Sequence, residues 1–520
     1  MDTEDIKLTM NFNDFRKKVG KQYTHIDYPI YENGNAAVSN YFKELNQPEK
    51  VIVHRFLPFI RQEIEFRKYP KWDSGKKKEN IKVRPVSLAS HRDTGIYALY
   101  ADKLNTIYND YSKEMGFSES AVAYRTNIQI SNEPISNITI AKNVFNFIDQ
   151  QSDTWIIKGD FKGFFDNLNH NIINRNVNRL LDYYGIVNTD DWNIVLKNIE
   201  KYRHIEKDEL ISALKKEGIY RTDNKAYFYS RREFGEFIKT HKELLSKKNT
   251  RGIPQGTSIS AVLANVYMME FDQKVIGMCE PYNGEYYRYS DDFIVVLPKK
   301  RMSYDEFIGL EKSIRTLSKI CVELEIEEHK TKKLVSNEGY FVDLNTGKKT
   351  HLDYLGFVYS DNTITLRSKS IYKFYYRGRK KIAESEMYYQ TGKIMEKKPN
   401  LSEKEIFLLQ KNLNFKNAQP RMNKLSLNRI GIIKNELSQR DVKKMYKKNY
   451  RKYIIKSEFT RPRESFISYA NKADEIFSTN SEKYGYKVRI KQQMNRQRRK
   501  MQEIKHEAKN LYKTNNTTFE

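Results

Sequence analysis

Three carboxylates sit where short apolar runs end. Trp155-Ile156-Ile157-Lys158-Gly159-Asp160-Phe161 reads as a buried strand terminating on Asp160, and Tyr286 to Leu297 reads as two apolar runs flanking Ser290-Asp291-Asp292. The second pattern predicts a hairpin with carboxylates at its tip. An Asp-Asp pair alone is most simply an exposed turn. Here Tyr286-Tyr287-Arg288-Tyr289 and Phe293-Ile294-Val295-Val296-Leu297 bury both arms, and carboxylates at the tip of buried strands are costly unless they bind something. The chemistry such a set suits is phosphoryl transfer with two magnesium ions roughly 4 Å apart, one activating an attacking hydroxyl and one stabilising a leaving pyrophosphate. Magnesium takes a few carboxylates together with phosphate and water oxygens.

The elements that must position these residues form a mixed α+β pattern. A helix is predicted over about Val51 to Arg67, then a solvated lysine-rich turn at Asp73 to Lys78. Ile81 to Ser87 alternates as a strand, with Pro85 marking an edge or an end. His91 to Tyr111 reads as a helix with Ile96, Leu99, Tyr100, Leu104 and Tyr108 on one face. Between the two carboxylate strands, about Trp192 to Thr250 is charged and poor in apolar residues, which predicts an exposed helical insertion. An apolar helix runs from near Ser258 to Phe271, and an amphipathic one covers Tyr304 to Leu324. Beyond about Ser370 the chain turns to basic, Tyr-rich helical segments broken by Pro399, Pro420 and Pro462. The scarcity of acidic residues there argues against a nuclease with clustered carboxylates.

At 520 residues the chain has room for two to four subdomains. Its two cysteines, Cys279 and Cys321, exclude a disulfide framework or a Cys-rich zinc module and point to a reducing compartment. No histidine pairs with a cysteine or another histidine at zinc-ligand spacing, so His91, His170 and His351 are read as structural or phosphate-contacting. Met1 to Lys17 has neither the apolar core of a signal peptide nor the pattern of a transit peptide, and no run approaches the roughly 18 apolar residues of a spanning helix. The expectation is a soluble cytoplasmic protein without membrane contact. Net charge is +27, and residues 371–520 hold 37 Lys+Arg against 15 Asp+Glu. A field of that size attracts polyanions, because each phosphate contact releases condensed counterions. Nucleic acid is the expected partner, with Arg496-Gln497-Arg498-Arg499-Lys500 the densest basic cluster.

Tyr289-Ser290-Asp291-Asp292 resembles the Tyr-x-Asp-Asp signature of reverse transcriptases, and Asp160-Phe161-Lys162-Gly163-Phe164-Phe165-Asp166 resembles their first catalytic motif. Arg251-Gly252-Ile253-Pro254-Gln255-Gly256-Thr257-Ser258 resembles the Gly-x-Pro-Gln-Gly motif between them. Three motifs in family order make the signal specific. Looser matches are Lys82-Val83-Arg84-Pro85, His91-Arg92 and Ala123-Tyr124-Arg125 to the fingers motifs, Lys330-Thr331-Lys332 to the palm lysine motif and Tyr354-Leu355-Gly356-Phe357 to the primer grip. The resemblance covers about residues 80–360.

It implies a right-hand polymerase fold of class α+β, with fingers, an antiparallel palm sheet, a helical thumb and a basic helical C-terminal module. The boundaries expected are 1–80 for an N-terminal extension, 81–150 for the fingers, 151–360 for a palm with its insertion at about 192–250, and 361–520 for the thumb and C-terminal module. The implied activity is RNA-directed DNA synthesis from dNTPs with two Mg²⁺ ions. Asp160, Asp291 and, more weakly, Asp292 would hold the metals with the Phe161 carbonyl, and Lys330 would protonate pyrophosphate. Phe165 would be the steric gate against a ribose 2′-hydroxyl. Gln255 and Gly256 would floor the nucleotide site, and Lys82, Arg84 and Arg125 would contact substrate. The stretches Arg84 to Tyr100 and Gly163 to His170 most resemble bacterial abortive-infection and unknown-group enzymes, a lineage that defends against phage. An RNA template, a DNA product and a dedicated noncoding RNA of the retron type are the nucleic-acid partners this implies. Template-independent or protein-primed synthesis, homo-oligomerisation, an RNA-dependent RNA polymerase and a non-catalytic nucleic-acid-binding protein stay open at this point.

Overall fold

The computed structural model describes residues 6, 8–73, 76–126, 128–130, 133–219, 225–397, 400, 402, 405, 439–454, 465–479 and 481–517. It divides into two compact units, Met1–Ile135 with Trp155–Lys333 and Ser136–Thr154 with Leu334–Glu520.

The first unit carries β1 Phe59–Asp73, β2 Lys76–Leu88, β3 Gln129–Ile130, β4 Glu133–Pro134, β5 Asp153–Asp160 from Trp155 onward, β6 His204–Glu206, β7 Glu285–Tyr289 and β8 Asp292–Pro298. β1 and β2 form a long antiparallel hairpin, with Ile60 opposite Leu88 and Ile64 opposite Arg84, and β6 adds in parallel to the start of β1. The order β2-β1-β6 leaves β2 at an edge, where Pro85 removes no needed ladder hydrogen bond. The expected helix over 51–67 is therefore corrected. A short helix, Pro48–Ile52, is followed by strand, and the expected lysine-rich loop is mostly strand too, with 74–75 outside the described residues. Ile60 and Ile64, four apart, satisfy a helical period as well as an alternating one, so only pairing with β2 and β6 decides.

Helix His91–Glu114 is as its periodicity predicts, with Ile96, Leu99, Tyr100, Leu104 and Tyr108 buried. Ser90 starts it by accepting from the Asp93 N–H at 3.1 Å. The 192–250 segment is helical over Asp190–Glu200, Lys207–Lys216 and Arg231–Thr240, but it is not an exposed insertion. Its few apolar residues are concentrated inward: Leu210, Phe228, Phe234 and Phe237 pack with Ile26 and Ile60. β5, β8 and β7 lie side by side in that order. Gly159 in β5 is required by this packing, because a Cβ there would lie 2.3 Å from the Phe293 ring of β8.

The second unit holds β9 Lys332–Asn337 from Leu334 onward, β10 Tyr340–Asp343, β11 Lys349–Thr350, β12 Leu352–Tyr354, β13 Phe357–Ser360, β14 Thr363–Leu366 and β15 Lys487–Val488. The order β12-β13-β14-β15 brings a strand from near the C-terminus parallel to β14, which the helical reading of 361–520 does not anticipate. Among its described residues are helices Asn137–Gln150, Ser368–Lys397, Gln439–Tyr453, Phe466–Ser478 and Ile490–Thr517. Its start at Leu334 and its capture of 136–154 differ from a boundary at 360, because Phe145 packs against Tyr359 and Phe477. Pro399, Pro420 and Pro462 lie outside the described residues.

Candidate active site

β7 and β8 turn through Ser290 and Asp291, with Tyr289 opposite Asp292 and Ser290 in the left-handed region at φ +61°. The end of β5 is held to this turn by its backbone. The Phe161 N–H donates to the Asp291 carbonyl at 3.2 Å. On its other side the Lys162 N–H donates to the Glu325 carbonyl at 2.9 Å and the Glu327 N–H to the Asp160 carbonyl at 2.8 Å. This second pairing delivers the 3₁₀ turn Glu328–Lys330, whose Lys330 Nζ donates to Asp160 Oδ2 at 2.6 Å. Sequence spacing thus becomes a site through two backbone pairings on one strand end.

The electrostatics are those of a cation site. Burial raises the Asp291 carboxyl to about 6, and the neighbouring charges of Asp160 and Asp292 push in the same direction. The Lys330 ammonium rises, chiefly through its hydrogen bond to Asp160. Among the described residues no group of three or more His, Cys, Asp or Glu side chains is arranged to hold a metal. Asp160 and Asp291 come together, and Asp292 stands next to them without completing a three-ligand cage. A pair fits magnesium, which is usually bound by one or two carboxylates plus substrate phosphates and waters.

The 251–257 loop closes the site against β2 and the segment after β5. Gly252 N–H donates to the Leu168 carbonyl at 2.7 Å, Ile253 N–H to the Phe165 carbonyl at 2.9 Å, and Ser87 N–H to the Gln255 carbonyl at 3.1 Å. Gly256 adopts φ +125° with its Cα so near β2 that a Cβ would lie 2.9 Å from the Ser87 carbonyl oxygen. Phe161 and Phe164 are buried, whereas Phe165 is only half-buried and packs edge-on to Phe164 at 5.3 Å. Of the three aromatics, Phe165 alone retains a substantially accessible ring. Lys82 and Arg84 are exposed on β2, the Arg84 guanidinium 5.7 Å from the Phe66 ring centre.

Arg125 is a correction. Rather than facing substrate it is buried, donating to Asn109 Oδ1 at 2.8 Å, to Ser112 Oγ at 2.8 Å, and to the carbonyls of Ser118 and Ala121, with its guanidinium over Tyr108. With those donors engaged it ties helix His91–Glu114 to the loop that pairs with β7 at Arg288. His170 accordingly contacts the Gly252 carbonyl at 2.9 Å, a structural role.

Arg288, which spacing did not single out, is fully buried in β7. It donates to both Asp272 oxygens, at 2.8 and 2.6 Å, and to the Ser290 carbonyl at 3.0 Å, while Tyr286 Oη donates to Asp272 at 2.7 Å. The charged pair thereby grips the turn that carries Asp291. The available signal was an arginine inside an apolar strand, but its partner lies sixteen residues earlier on a helix.

Residues 189–359 match the family described as reverse transcriptase (RNA-dependent DNA polymerase), a span that takes in the 251–257 loop, the hairpin carboxylates and Lys330 and begins after Asp160. No curated protein matches. Among solved structures, the chain is similar to apo telomerase from Candida tropicalis truncated from its C-terminal domain, at 13% identity and TM-score 0.35, over 62% of this chain and 58% of that one. It is also similar to telomerase from Candida albicans in complex with a TWJ fragment of telomeric RNA, at 13% identity and TM-score 0.37, over 92% of this chain and 70% of that one. The chain thus spans 58% of the length of the first of these. Family match and residue arrangement agree over this span: residues 189–359 are similar to the reverse transcriptase family, and the backbone pairing of Phe161 with Asp291 brings Asp160, which precedes the span, to its carboxylates.

Proposed function

We propose that the protein is an RNA-directed DNA polymerase that extends a hydroxyl with dNTPs on a nucleic-acid template, using two Mg²⁺ ions held by Asp160 and Asp291 with Asp292 and the Phe161 carbonyl beside them. The observation that carries this reading is the hydrogen bond from Phe161 N–H to the Asp291 carbonyl, which puts two motif carboxylates on one site. The bound ions would lower the pKa of the attacking hydroxyl and stabilise the charge of the leaving pyrophosphate. Asp160 and Asp291 would hold those ions through their carboxylates. Lys330, held against Asp160, is positioned to neutralise charge and to supply a proton to pyrophosphate. Gln255 and Gly256 floor the nucleotide site, and Lys82 and Arg84 on β2 meet its triphosphate. We assign fingers to 81–150 with the extension 1–80, palm to 151–360, and thumb with C-terminal module to 361–520.

The test is to purify the protein with co-expressed nucleic acid, supply magnesium with each dNTP or rNTP, and sequence the product beside an Asp291→Asn control. Product copied from RNA supports the reading; an RNA product, a homopolymer or protein-linked DNA overturns its templated, deoxynucleotide part. Phe165 as gate makes a sharper prediction. Phe165→Ala lowers the preference for dNTP over rNTP at least about tenfold, about 1.4 kcal/mol of discrimination, measured as the ratio of kcat/KM values. An unchanged ratio would remove Phe165 from that role.

The basic helix Ile490–Thr517 is proposed to hold nucleic acid electrostatically. Arg498 donates to the Ile454 carbonyl at 2.8 Å, and Met494 and Met501 are buried, so this helix is packed within its unit. Arg496 and Arg499 are exposed. Arg496→Gln/Arg499→Gln lowers the slope of log affinity against log salt by about 2, and a slope equal to wild type would exclude these two contacts. The setting we propose is antiphage defence in the bacterial cytoplasm, supported by the resemblance of residues 84–100 and 163–170 to that lineage. Plaque counts that are equal with wild-type and Asp291→Asn protein would exclude it.

A further inference from the structure

A second site lies in the first unit, formed by residues that the polymerase reading does not use. A 310 Å³ cavity opens where helices Gly34–Glu44 and Pro48–Ile52 meet the start of helices His91–Glu114 and Arg231–Thr240. Tyr41 and Leu45 form its apolar wall, and Lys50, Arg55, Arg92 and Arg231 ring it. Its rim carries a single carboxylate, Glu44, and no side chain of the four cations forms an ion pair with a carboxylate among the described residues. The nearby Asp93 is already engaged. It is buried and accepts from His54 Nε2 at 2.7 Å and from the Leu57 N–H at 3.0 Å, while Asp27, also buried, accepts from the Arg92 backbone N–H at 3.1 Å, so these two carboxylates face other donors and offset the four cations only from behind the cavity wall.

All four cations are exposed, and two of them, Arg92 and Arg231, have anchored side chains. The Arg92 guanidinium lies 5.5 Å from the Tyr41 ring centre, and Tyr41 Oη donates to the Arg92 carbonyl at 2.6 Å. Arg231 Nη1 donates to the Arg55 carbonyl at 3.0 Å, bringing the two arginines to one rim. Four like charges converging on one concavity repel one another, and the arrangement is relieved by an anion. Guanidinium groups favour oxyanions that accept two parallel N–H donors, as phosphate does.

We propose that this cavity binds a phosphate group of a polynucleotide, at a site separate from the carboxylate centre. A nucleic acid is the favoured source because residues 189–359 are similar to a nucleic-acid polymerase family and the chain carries +27 net charge. The phosphate is either an internal phosphodiester or a 5′-terminal monophosphate.

The test compares full-length wild type, Lys50→Gln/Arg55→Gln and Arg231→Gln with a charge-matched control, Lys17→Gln/Lys18→Gln on the exposed face of helix Phe12–Val19. Fluorescence anisotropy follows a 3′-labelled 20-nucleotide RNA bearing a 5′-hydroxyl or a 5′-monophosphate, across a range of salt. The expected result is a loss of about tenfold in affinity for the double variant relative to the control, with a salt slope lower by about 1 to 2, and a smaller loss of the same kind for Arg231→Gln. Equal losses for both RNAs assign the cavity to a phosphodiester, and a loss confined to the 5′-monophosphate RNA assigns it to a strand end. Both pocket variants matching the control on both RNAs would overturn the proposal and leave an acidic protein surface as the occupant. The readout requires no synthesis, so it stands or falls independently of the carboxylates.

Discussion

Asp160→Asn and Asp291→Asn are each expected to reduce nucleotide incorporation at least about 10³-fold while nucleic-acid binding stays near wild type. The magnitude follows from the several kcal/mol that bound metal contributes to the transition state, since an amide keeps the shape of the carboxylate and discards its charge. Thermal melting gives an independent readout. In the absence of metal, Asp291 is a carboxyl raised to about 6 by burial and by Asp160 and Asp292. Its folded-state pKa lies above the ordinary value of 3.8, so its ionised form opposes folding. That destabilisation is complete above about pH 6 and is relieved as pH falls toward 3.8. Metal-free Asp291→Asn should therefore melt higher than wild type at pH 8, with the difference vanishing near pH 4. Magnesium should raise the wild-type melting temperature, through preferential binding to the folded state, by more than it raises the variant's. A variant that incorporates nucleotides at more than a few per cent of the wild-type rate would remove Asp291 from the centre.

The largest stability effect is expected at Asp272. Asp272→Asn leaves the Arg288 guanidinium, fully buried in β7, without its counter-charge. Breaking a buried pair from one side costs about 3–5 kcal/mol, which should lower the melting temperature on the order of 10 °C. Asp272→Leu/Arg288→Met removes both charges and should recover much of that loss, because an apolar pair pays no desolvation penalty. It also removes the donor to the Ser290 carbonyl, so the turn carrying Asp291 is no longer gripped. A displacement of about 1 Å at reacting groups can lower rate about 10²-fold. The double variant is thus expected to be stable and slow, with kcat reduced far more than KM is changed. Full activity in a stable double variant would show that Arg288 supports the fold without positioning the turn.

Local patterns determined a good part of this protein. The β7–β8 hairpin, the strand ending on Asp160, the helix after Ser90 and the edge position of Pro85 were all legible, because strand alternation, helical period and proline's missing N–H act over a few neighbouring residues. The motif carboxylates and the 251–257 loop were legible for a further reason, since family resemblance fixed their order along the chain. Tertiary structure decided the rest. Residues 59–67 fit two periods and became strand only by pairing with β2 and β6. The 192–250 segment looked exposed because its apolar residues are sparse, yet they converge with Ile26 and Ile60, a convergence no local window contains. An arginine's role depends on which groups surround it. Arg125 proved to be a buried brace, and Arg288 found its counter-charge on another element. Lys330 reached Asp160 only because Glu325 and Glu327 pair with the end of β5, a long-range register that sequence spacing does not encode.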